Sequence, residues 1–372
     1  MRLTVVSSLD ALCRQQACES LADAFPAAVV MVHDLLDGGV VVRRIFRHGA
    51  LAQRRESMLE HPCPSCAVRL TIVPSLGSLL AAGEEHVILG LPPTVPASMV
   101  IHALGRHLDQ PPTVDSAVLA CAPGSVEEQI WEGQSLFEGG CTVLEQDERT
   151  PGEFLVGELD FNDTVLLADP DLVPVDAAER TRGVQLLREL ARHADVLEHG
   201  SDLVLGRHRL MEALRRAATG CLELPSAPPA SPFTTVVHRV ERPLHPGRFH
   251  QALATLAAGC CWLRGHLCLA AAPEYRILLQ GIGPRVWLEN TGPWPVDQHA
   301  DLLAEHIGPA RDEAGPAVPA GPGEHATVLA ATGEDLDAAE IARLLTDCQL
   351  TEAEMRSGIT GLTDPFGLSV TH

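Results

Sequence analysis

The chain has 372 residues and not one lysine, so that all 27 of its basic residues are arginine. A phosphate-binding loop of the Walker type depends on a lysine ammonium that reaches the β- and γ-phosphates. The absence of lysine therefore argues against a standard P-loop nucleotidase before any motif is considered.

Positive charge is scarce as well. Against the 27 arginines stand 49 acidic residues, which gives a formal net charge of −22. Nucleic acid backbones and anionic membranes are captured by clustered cations, which such a surface lacks. We therefore expect neither direct nucleic acid binding nor membrane association, whereas basic proteins and metal ions remain suitable partners.

The chain also lacks an uninterrupted apolar stretch of about 18 residues, and its first residues lack the apolar core and cleavage site of a secretory signal. Its eleven cysteines are odd in number and irregularly spaced, which is not the pattern of a disulfide framework. We expect a cytoplasmic protein with reduced thiols. Cysteines in apolar runs, such as Cys121, Cys260 and Cys268, are expected in the core.

The first part of the chain alternates short apolar runs with amphipathic segments. Residues 3–6 are strand-like, and apolar positions at helical spacing follow from Leu9 onward, with Ser8 or Asp10 available as the N-cap. Further strand-like runs lie at residues 28–32, 40–45, 87–89, 117–121 and 165–167. Long crossovers between such runs favour a mostly parallel α/β sheet with helices on both faces.

Residues 223–232 are rich in proline and cannot continue a helix or a central strand, so they are predicted to link a domain at 1–222 to a domain at 233–372. The second domain carries strand-like runs at residues 234–239, 267–270, 276–279, 286–288 and 327–330, with helices at 248–256 and 338–345. These elements predict a smaller α+β domain.

The strongest chemical motif is Cys-Pro-Ser-Cys at residues 63–66. A tight turn can point both sulfurs at one soft or borderline metal ion, and zinc accepts thiolates readily. His61 or Glu60 is close enough in sequence to supply a third ligand. A single pair provides only half of a tetrahedral site, so a redox dithiol and a structurally incidental pair remain open.

Several segments of the second domain carry a family resemblance. They are Arg-Pro-Leu-His-Pro-Gly-Arg at 242–248, Trp-Leu-Arg-Gly at 262–265, Trp287, Trp294 and Asp-Pro-Phe-Gly at 364–367. Together with the cysteine pair, they resemble the CobW family of metal-linked GTPases. The resemblance implies a P-loop-GTPase-like first domain and a CobW-type C-terminal domain whose surface meets a protein partner.

In that family a metal motif, commonly Cys-x-Cys-Cys followed by Thr-x-Arg-x-Asp-Leu, lies between the P-loop and the next nucleotide motif. Here residues 61–69 occupy that place, with Ser65 where the middle cysteine usually stands and with Arg69 kept. The resemblance implies a zinc site at Cys63, Cys66 and His61. Because one sulfur is lost, it also implies weaker or different metal binding, unless His61 or another cysteine compensates.

The nucleotide motifs of the family are largely missing. Where the P-loop should follow the first strand, the chain reads Ser-Ser-Leu-Asp-Ala-Leu-Cys-Arg at 7–14, without glycine or lysine, and Asp10 would repel phosphate. The guanine-reading Asn-Lys-x-Asp has become Ala-Asp-Pro-Asp at 168–171, which keeps only Asp171. We therefore do not expect GTP as a cofactor, nor GTP hydrolysis by this chain alone.

Within the family, the chain resembles a divergent branch that is produced under zinc limitation. That branch keeps a His-x-Cys-x-Ser-Cys segment, has a degraded P-loop and opens with an Asp-Gly-x-Val-Val-Arg-like segment, here at residues 37–44. It implies a non-catalytic zinc adaptor that recruits a hibernation factor to the ribosome through the C-terminal domain. Two alternatives remain: a zinc or cobalt metallochaperone for a client enzyme, and a GTP-binding protein that contacts phosphate through an arginine such as Arg14.

Overall fold

The computed structural model describes residues 1–170, 174–217, 232–294, 325–357 and 362–368. The chain divides into two compact units, Met1–Ala217 and Ala218–His372. Of the linker predicted at 223–232, only Pro232 falls within the described residues, so its boundaries stay a prediction.

An eight-stranded sheet forms the frame of the first unit. Its strands are β1 (Arg2–Ser8), β2 (Val29–Leu36), β3 (Val40–Arg47), β4 (Ala50–Met58), β5 (His86–Gly90), β6 (Thr113–Cys121), β7 (Thr164–Leu167) and β8 (Asp195–Leu197). The order across the sheet is β4-β3-β2-β5-β1-β6-β7-β8. The six strands from β2 to β8 in that order run parallel, while β3 and β4 pair antiparallel at one edge.

Helices cover both faces of this sheet. They are α1 (Ala11–Ala24), α2 (Pro64–Ala67), α3 (Val73–Ala81), α4 (Ala97–His107), α5 (Val126–Trp131), α6 (Pro151–Phe161), α7 (Ala177–Leu190) and α8 (Leu210–Ala217). On one face α1 buries Ala17 and Leu21 against the strands. On the other, α3 and α4 bury Leu76 and Val100 against strand residues such as Met31. The predicted mostly parallel α/β sheet with helices on both faces is confirmed.

Residues Pro64–Ala81 form one helical run, in which Val68–Ile72 has π geometry between α2 and α3. Among the described residues, this run alone is long and apolar enough to cross a membrane by length and composition, which is weak evidence. Ile72 and Leu76 are fully buried in the same apolar cluster as the sheet. That burial is typical of a core helix.

The second unit is a five-stranded antiparallel sheet with helices packed on one face. The strands are β9 (Phe233–Val240), β10 (Cys260–Leu267), β11 (Tyr275–Ile282), β12 (Arg285–Pro293) and β13 (Thr327–Glu334), in the order β12-β11-β10-β13-β9. The helices are α9 (Pro246–Ala257), α10 (Ala338–Cys348) and α11 (Glu352–Ser357). Phe249 of α9 and Leu345 of α10 share a core with Leu263 and Leu329 of the sheet. The predicted smaller α+β domain is confirmed.

The strand predicted at residues 267–270 is wrong, because β10 runs over Cys260–Leu267 instead. Within β10, Gly265 allows the close approach of β13, since an added Cβ would lie 2.2 Å from the carbonyl oxygen of Val328 on β13. Beyond the strand, Leu269 is buried and forms an isolated bridge with Leu244. Residues 268–270 are therefore apolar because they are buried beyond the end of β10, and they are not part of a strand.

His33 lies inside β2 with its side chain fully buried, and neither ring nitrogen has a hydrogen-bond partner within the described residues. Burial, with a further contribution from the positive charge of Arg43, lowers the pKa of His33 to about 3. The imidazole is therefore neutral in the folded protein at neutral pH.

We expect the stability of the first unit to fall as the pH drops below about 6.5, the pKa of an unperturbed histidine. The unfolded chain takes up a proton on His33 there, while the folded chain does so only near pH 3, so protonation favours unfolding. For this group alone the loss is about 2 kcal/mol between about pH 7.5 and pH 5. Urea unfolding across that range measures it. In His33→Gln the dependence should be weaker by one proton, and an unchanged dependence would assign it to other groups.

Candidate metal site

The cysteine pair lies at the start of a helix. Cys63 is the N-cap of α2 with an extended backbone (φ −143°, ψ 155°), and Pro64 takes the first helical position. Proline suits that position, since its fixed φ is helical and its missing N–H would have no partner there. The Sγ of Cys63 accepts a hydrogen bond from the backbone N–H of Cys66 at 3.3 Å. Both cysteines are therefore held in one turn, each half-buried.

Hydrogen bonding with the Cys63 side chain raises the pKa of the Cys66 thiol above its usual value. The structure leaves all three interpretations of the pair open: a metal-binding pair, a redox dithiol and a structurally incidental pair.

His61 and Glu60 lie just before this turn, and both are exposed. Nowhere in the part of the chain that the structure describes do three side chains of His, Cys, Asp or Glu stand close enough together to hold a metal ion. The structure thus brings Cys63 and Cys66 together and leaves His61 outside the pair. A zinc ion needs four ligands in a closed site, so this pair supplies half of them, and His61 as a third ligand stays a prediction.

A groove of about 450 Å³ opens beside Cys66. It is lined by Ser65, Cys66, Val68, Arg69, Met99, His102, Ala103, Arg106 and His107. Both histidines come from α4, and the Nδ1 of His102 lies 3.1 Å from the carbonyl oxygen of Ser98. Imidazole nitrogens are zinc ligands like thiolates, so the groove adds two donors of the right chemistry near the thiol.

The end of β1, where a P-loop would begin, offers no free cradle for phosphate. Of the two predicted candidates, Ser8 and Asp10, the N-cap of α1 is Asp10, whose Oδ1 accepts hydrogen bonds from the backbone N–H groups of Leu12 and Cys13, both at 2.8 Å. Amides at this position are the ones that bind phosphate at helix N-termini. Here the chain's own carboxylate fills the anion position.

Arg14 is also unavailable to phosphate. Its side chain is 1% exposed, and its Nη1 donates to the carbonyl oxygens of His33 and Leu91 at 2.9 Å each. Its Nη2 donates to Oδ1 of Asp34 at 2.6 Å. The alternative in which Arg14 contacts a phosphate is therefore wrong, because the guanidinium is buried and already paired.

The carboxyl end of the sheet carries further negative charge. Asp169 follows β7 and pairs with Arg180 at 2.8 Å, while Asp171 lies outside the described residues. Burial raises the pKa of Cys121, the last residue of β6, to about 12, and the charges of Asp10 and Asp169 add to the effect. Open α/β sheets bind their ligands at this end of the strands. The charge there opposes a nucleotide phosphate.

The aromatic residues of the second unit build its fold. Trp262 and Trp294 are each 2% exposed. The guanidinium of Arg264 stacks on Trp262 at 3.3 Å from the ring centroid, and the ring of His266 meets Trp294 edge-on at 5.8 Å. Stacking of this kind stabilises a packed sheet face.

Comparison with known proteins identifies this second unit. Residues 233–349 match the family described as the cobalamin synthesis protein cobW C-terminal domain. The second unit holds a CobW C-terminal domain. The matched span runs from the first strand of that unit to just past α10.

Comparisons over most of the chain find further similar proteins. The zinc chaperone Rv0106 of Mycobacterium tuberculosis is 26% identical in an alignment of 296 positions that covers 74% of this chain and 70% of that protein. Zinc-bound YjiA GTPase from E. coli and a zinc-bound triple mutant of YjiA GTPase each cover 94% of this chain and 99% of their own. Their identities are 14% and 13% and their TM-scores 0.35 and 0.37. The domain match and the zinc chaperone support the CobW family, while the zinc-limitation branch stays a prediction.

The groove beside Cys66 was missed from the sequence. His102 and His107 are five positions apart, which is not the i, i+4 spacing of a ligand pair on one helix face. Both nevertheless line the groove, because α4 packs beside the π segment that follows α2. Only that tertiary contact brings them to the cysteine turn, so no local signal could have found them.

Proposed function

We propose that this protein acts in metal homeostasis by taking up zinc at Cys63 and Cys66 and handing it to a protein partner. The observation that carries the proposal is the pair of half-buried cysteines, joined at a helix start by the hydrogen bond from the backbone N–H of Cys66 to Sγ of Cys63 and bordered by a groove with two histidines. Thiolate and imidazole are the ligands that zinc prefers in proteins. The name of the relative Rv0106, a zinc chaperone, supports the same role.

An incomplete donor set favours transfer over storage. Structural zinc sites are closed by four protein ligands, and such sites contribute directly to folding. Here two sulfurs are preorganised, and the other ligands must come from water, from the groove or from the partner. Zinc is then cargo, held well enough to be carried and open enough to be released.

Nucleotide hydrolysis is not part of the proposed mechanism. The carboxylate of Asp10 accepts the hydrogen bonds of the amides at the start of α1, where a phosphate would bind. The chain also has no lysine that could contact a phosphate. Phosphoryl transfer depends on positive charge and backbone amides around the phosphates. We propose a protein that works by binding and exchange, without GTP as a cofactor.

The partner is expected to meet the CobW C-terminal domain. In the metallochaperone form of the proposal the partner is a client enzyme that receives zinc. In the adaptor form it is a ribosome hibernation factor or the ribosome, and zinc controls that contact. The likeness to the zinc chaperone Rv0106 favours the first form.

Zinc binding tests the proposal directly. We expect about one zinc per wild-type chain under reducing conditions, and loss of that zinc in the double variant Cys63→Ser, Cys66→Ser, because both preorganised ligands are then gone. Competition with a chromogenic chelator measures the affinity. Cys141→Ser is the matched control, since Cys141 is another half-buried thiol of the first unit. Equal zinc binding by the double variant and the wild type would refute the site.

Two further comparisons resolve the mechanism. A weaker affinity in His61→Ala would identify that side chain as the third ligand, whereas a weaker affinity in His102→Ala, His107→Ala would identify the groove. Transfer of the bound zinc to an apo-enzyme, abolished in the cysteine variant, supports the metallochaperone form. Zinc-dependent association with ribosomes without transfer supports the adaptor form.

A further inference from the structure

A row of basic side chains crosses the outer strands of the first unit on the face that α3 covers. In the strand registers His33 of β2 stands opposite Arg43 of β3, and Arg43 stands opposite Arg55 of β4. Directly opposed residues of neighbouring strands project from the same face of a sheet. Like charges in such a pair are destabilising, so two adjacent arginines need an explanation.

The hydrogen bonds of Arg43 go to uncharged groups and leave its charge uncompensated. Arg43 donates from Nη1 to the hydroxyl of Ser75 at 2.9 Å and from Nη2 to the amide oxygen of Gln53 at 3.3 Å. Its Nε is buried without a partner. Among the described residues, neither Arg43 nor Arg55 forms an ion pair with a carboxylate.

Neighbouring arginines on the same strands behave differently. Arg44 pairs with Asp34 at 2.6 Å, Arg47 with Glu84 at 2.7 Å, and Arg54 with Glu56 at 2.5 Å. The chain has 49 acidic residues for 27 arginines, so carboxylates are plentiful. Among the described residues none of them pairs with Arg43 or Arg55, and Arg55 is exposed, so an external anion can reach the two guanidinium groups.

A cavity of about 230 Å³ opens between the two arginines and the helical run. It is lined by Arg43, Arg55, Ser57, Leu70, Thr71, Pro74, Ser75 and Ser78. The space holds several waters, which is room for a tetrahedral oxyanion and part of the group that carries it. The lining contains two guanidinium groups, the hydroxyl of Ser57 and no carboxylate; its other three hydroxyls already donate to backbone carbonyl oxygens of the helical run.

That chemistry suits one class of ligand. Guanidinium groups form short, charge-assisted hydrogen bonds with phosphate oxygens, often two at a time. Burial and the charge of Arg55 lower the pKa of Arg43, so the empty pair is electrostatically unfavourable and an anion would relieve it. The hydroxyl of Ser57, which makes no hydrogen bond in the described part of the chain, can donate to a further oxygen.

We propose that the cavity between β3, β4 and α3 is a binding site for a phosphate-class oxyanion, held by the guanidinium groups of Arg43 and Arg55 and by the hydroxyl of Ser57. The site is separate from the zinc proposal, since it uses no cysteine or histidine ligand. It is also separate from the filled helix start at Asp10.

The probe is inorganic phosphate, titrated by calorimetry into the full chain at constant ionic strength, with chloride as the reference anion. We expect saturable binding to the wild type that chloride does not reproduce. Arg55→Gln should weaken it at least about tenfold, because a charge-assisted contact is lost. The matched control is Arg54→Gln on the same strand, whose side chain points to the opposite face and pairs with Glu56. The control should bind phosphate as the wild type does.

Thermal unfolding separates a ligand site from a structural role. Without phosphate, Arg55→Gln should unfold at the same temperature as the wild type or higher, since repulsion with Arg43 is relieved. With phosphate, only the wild type and Arg54→Gln should gain stability. Unchanged phosphate affinity in Arg55→Gln, or no response of the wild type beyond that to chloride, would overturn the proposal.

A second probe, O-phosphoserine, distinguishes the source of the anion. Tighter binding of O-phosphoserine than of inorganic phosphate would indicate that the phosphoryl group is carried on a larger molecule. The reverse order would indicate the free anion. Absence of binding by both would contradict the proposal.

Discussion

Gly183→Ala is expected to destabilise the first unit by about 3 kcal/mol or more. Gly183 lies in α7, where an added Cβ would stand 1.7 Å from the carbonyl oxygen of Pro123 and 2.6 Å from its carbonyl carbon. The clash is with backbone, which cannot rotate away as a side-chain end can. Helix α7 would have to move off the turn at Pro123–Ser125.

Gly157→Ala is the matched control for this substitution. Gly157 also lies inside a helix, α6, but nothing stands within 4 Å of an added Cβ there. Alanine in an exposed helix interior is favoured over glycine by up to about 1 kcal/mol, so this variant should gain stability. The unfolding transition of the first unit in urea measures both. Destabilisation of similar size in the two variants would show that packing against Pro123 is not the cause.

Asp34→Asn is the second substitution with a large expected effect, a loss of about 3 kcal/mol. Asp34 accepts from Arg14 with Oδ1 and from Arg44 with Oδ2, each at 2.6 Å. Arg14 is 1% exposed, and Asp34 is the only carboxylate with which it pairs in the described residues. Removing that charge leaves a buried guanidinium without its counterion, which is the costly half of breaking a buried pair.

An exposed pair provides the comparison. Glu340 and Arg343 on α10 form an ion pair at 2.7 Å with both side chains largely in water. Exposed pairs contribute little because solvent screens them and both side chains lose freedom. Glu340→Gln should therefore unfold like the wild type. If Asp34→Asn did so too, the polar network around Arg14 would contribute nothing to the fold.

Much of the fold was predictable where hydrophobic periodicity and burial coincide. β1 and α1 follow from an apolar run, helical spacing and the cap at Asp10. β4 was missed because its residues are almost all exposed, so it shows no alternation of apolar and polar positions. The helical run Pro64–Ala81 was missed because its two prolines suggest breaks in a helix. In the structure Pro64 begins the run and Pro74 lies at the start of α3, both positions that tolerate proline.

The sequence predicts only the part of the candidate site that lies within one short segment. Cys63 and Cys66 share one turn, and the two-residue spacing alone places their sulfurs together. The histidines of the groove and the pair Arg43 and Arg55 are joined by helix packing and strand register. Register is decided by the whole sheet, so no single segment of the sequence records it.

The N-cap of α1 differs from a helix start that binds an anion from solution. A protein whose helix start binds a dissociable anion gains stability as that anion becomes more concentrated. Here the anion is the side chain of Asp10, tethered to the helix and present at all times. The start of this helix is therefore capped without a dissociable anion. The hydrogen bonds from these amides to Asp10 form a helix cap, which contributes about 1 kcal/mol to the stability of the first unit.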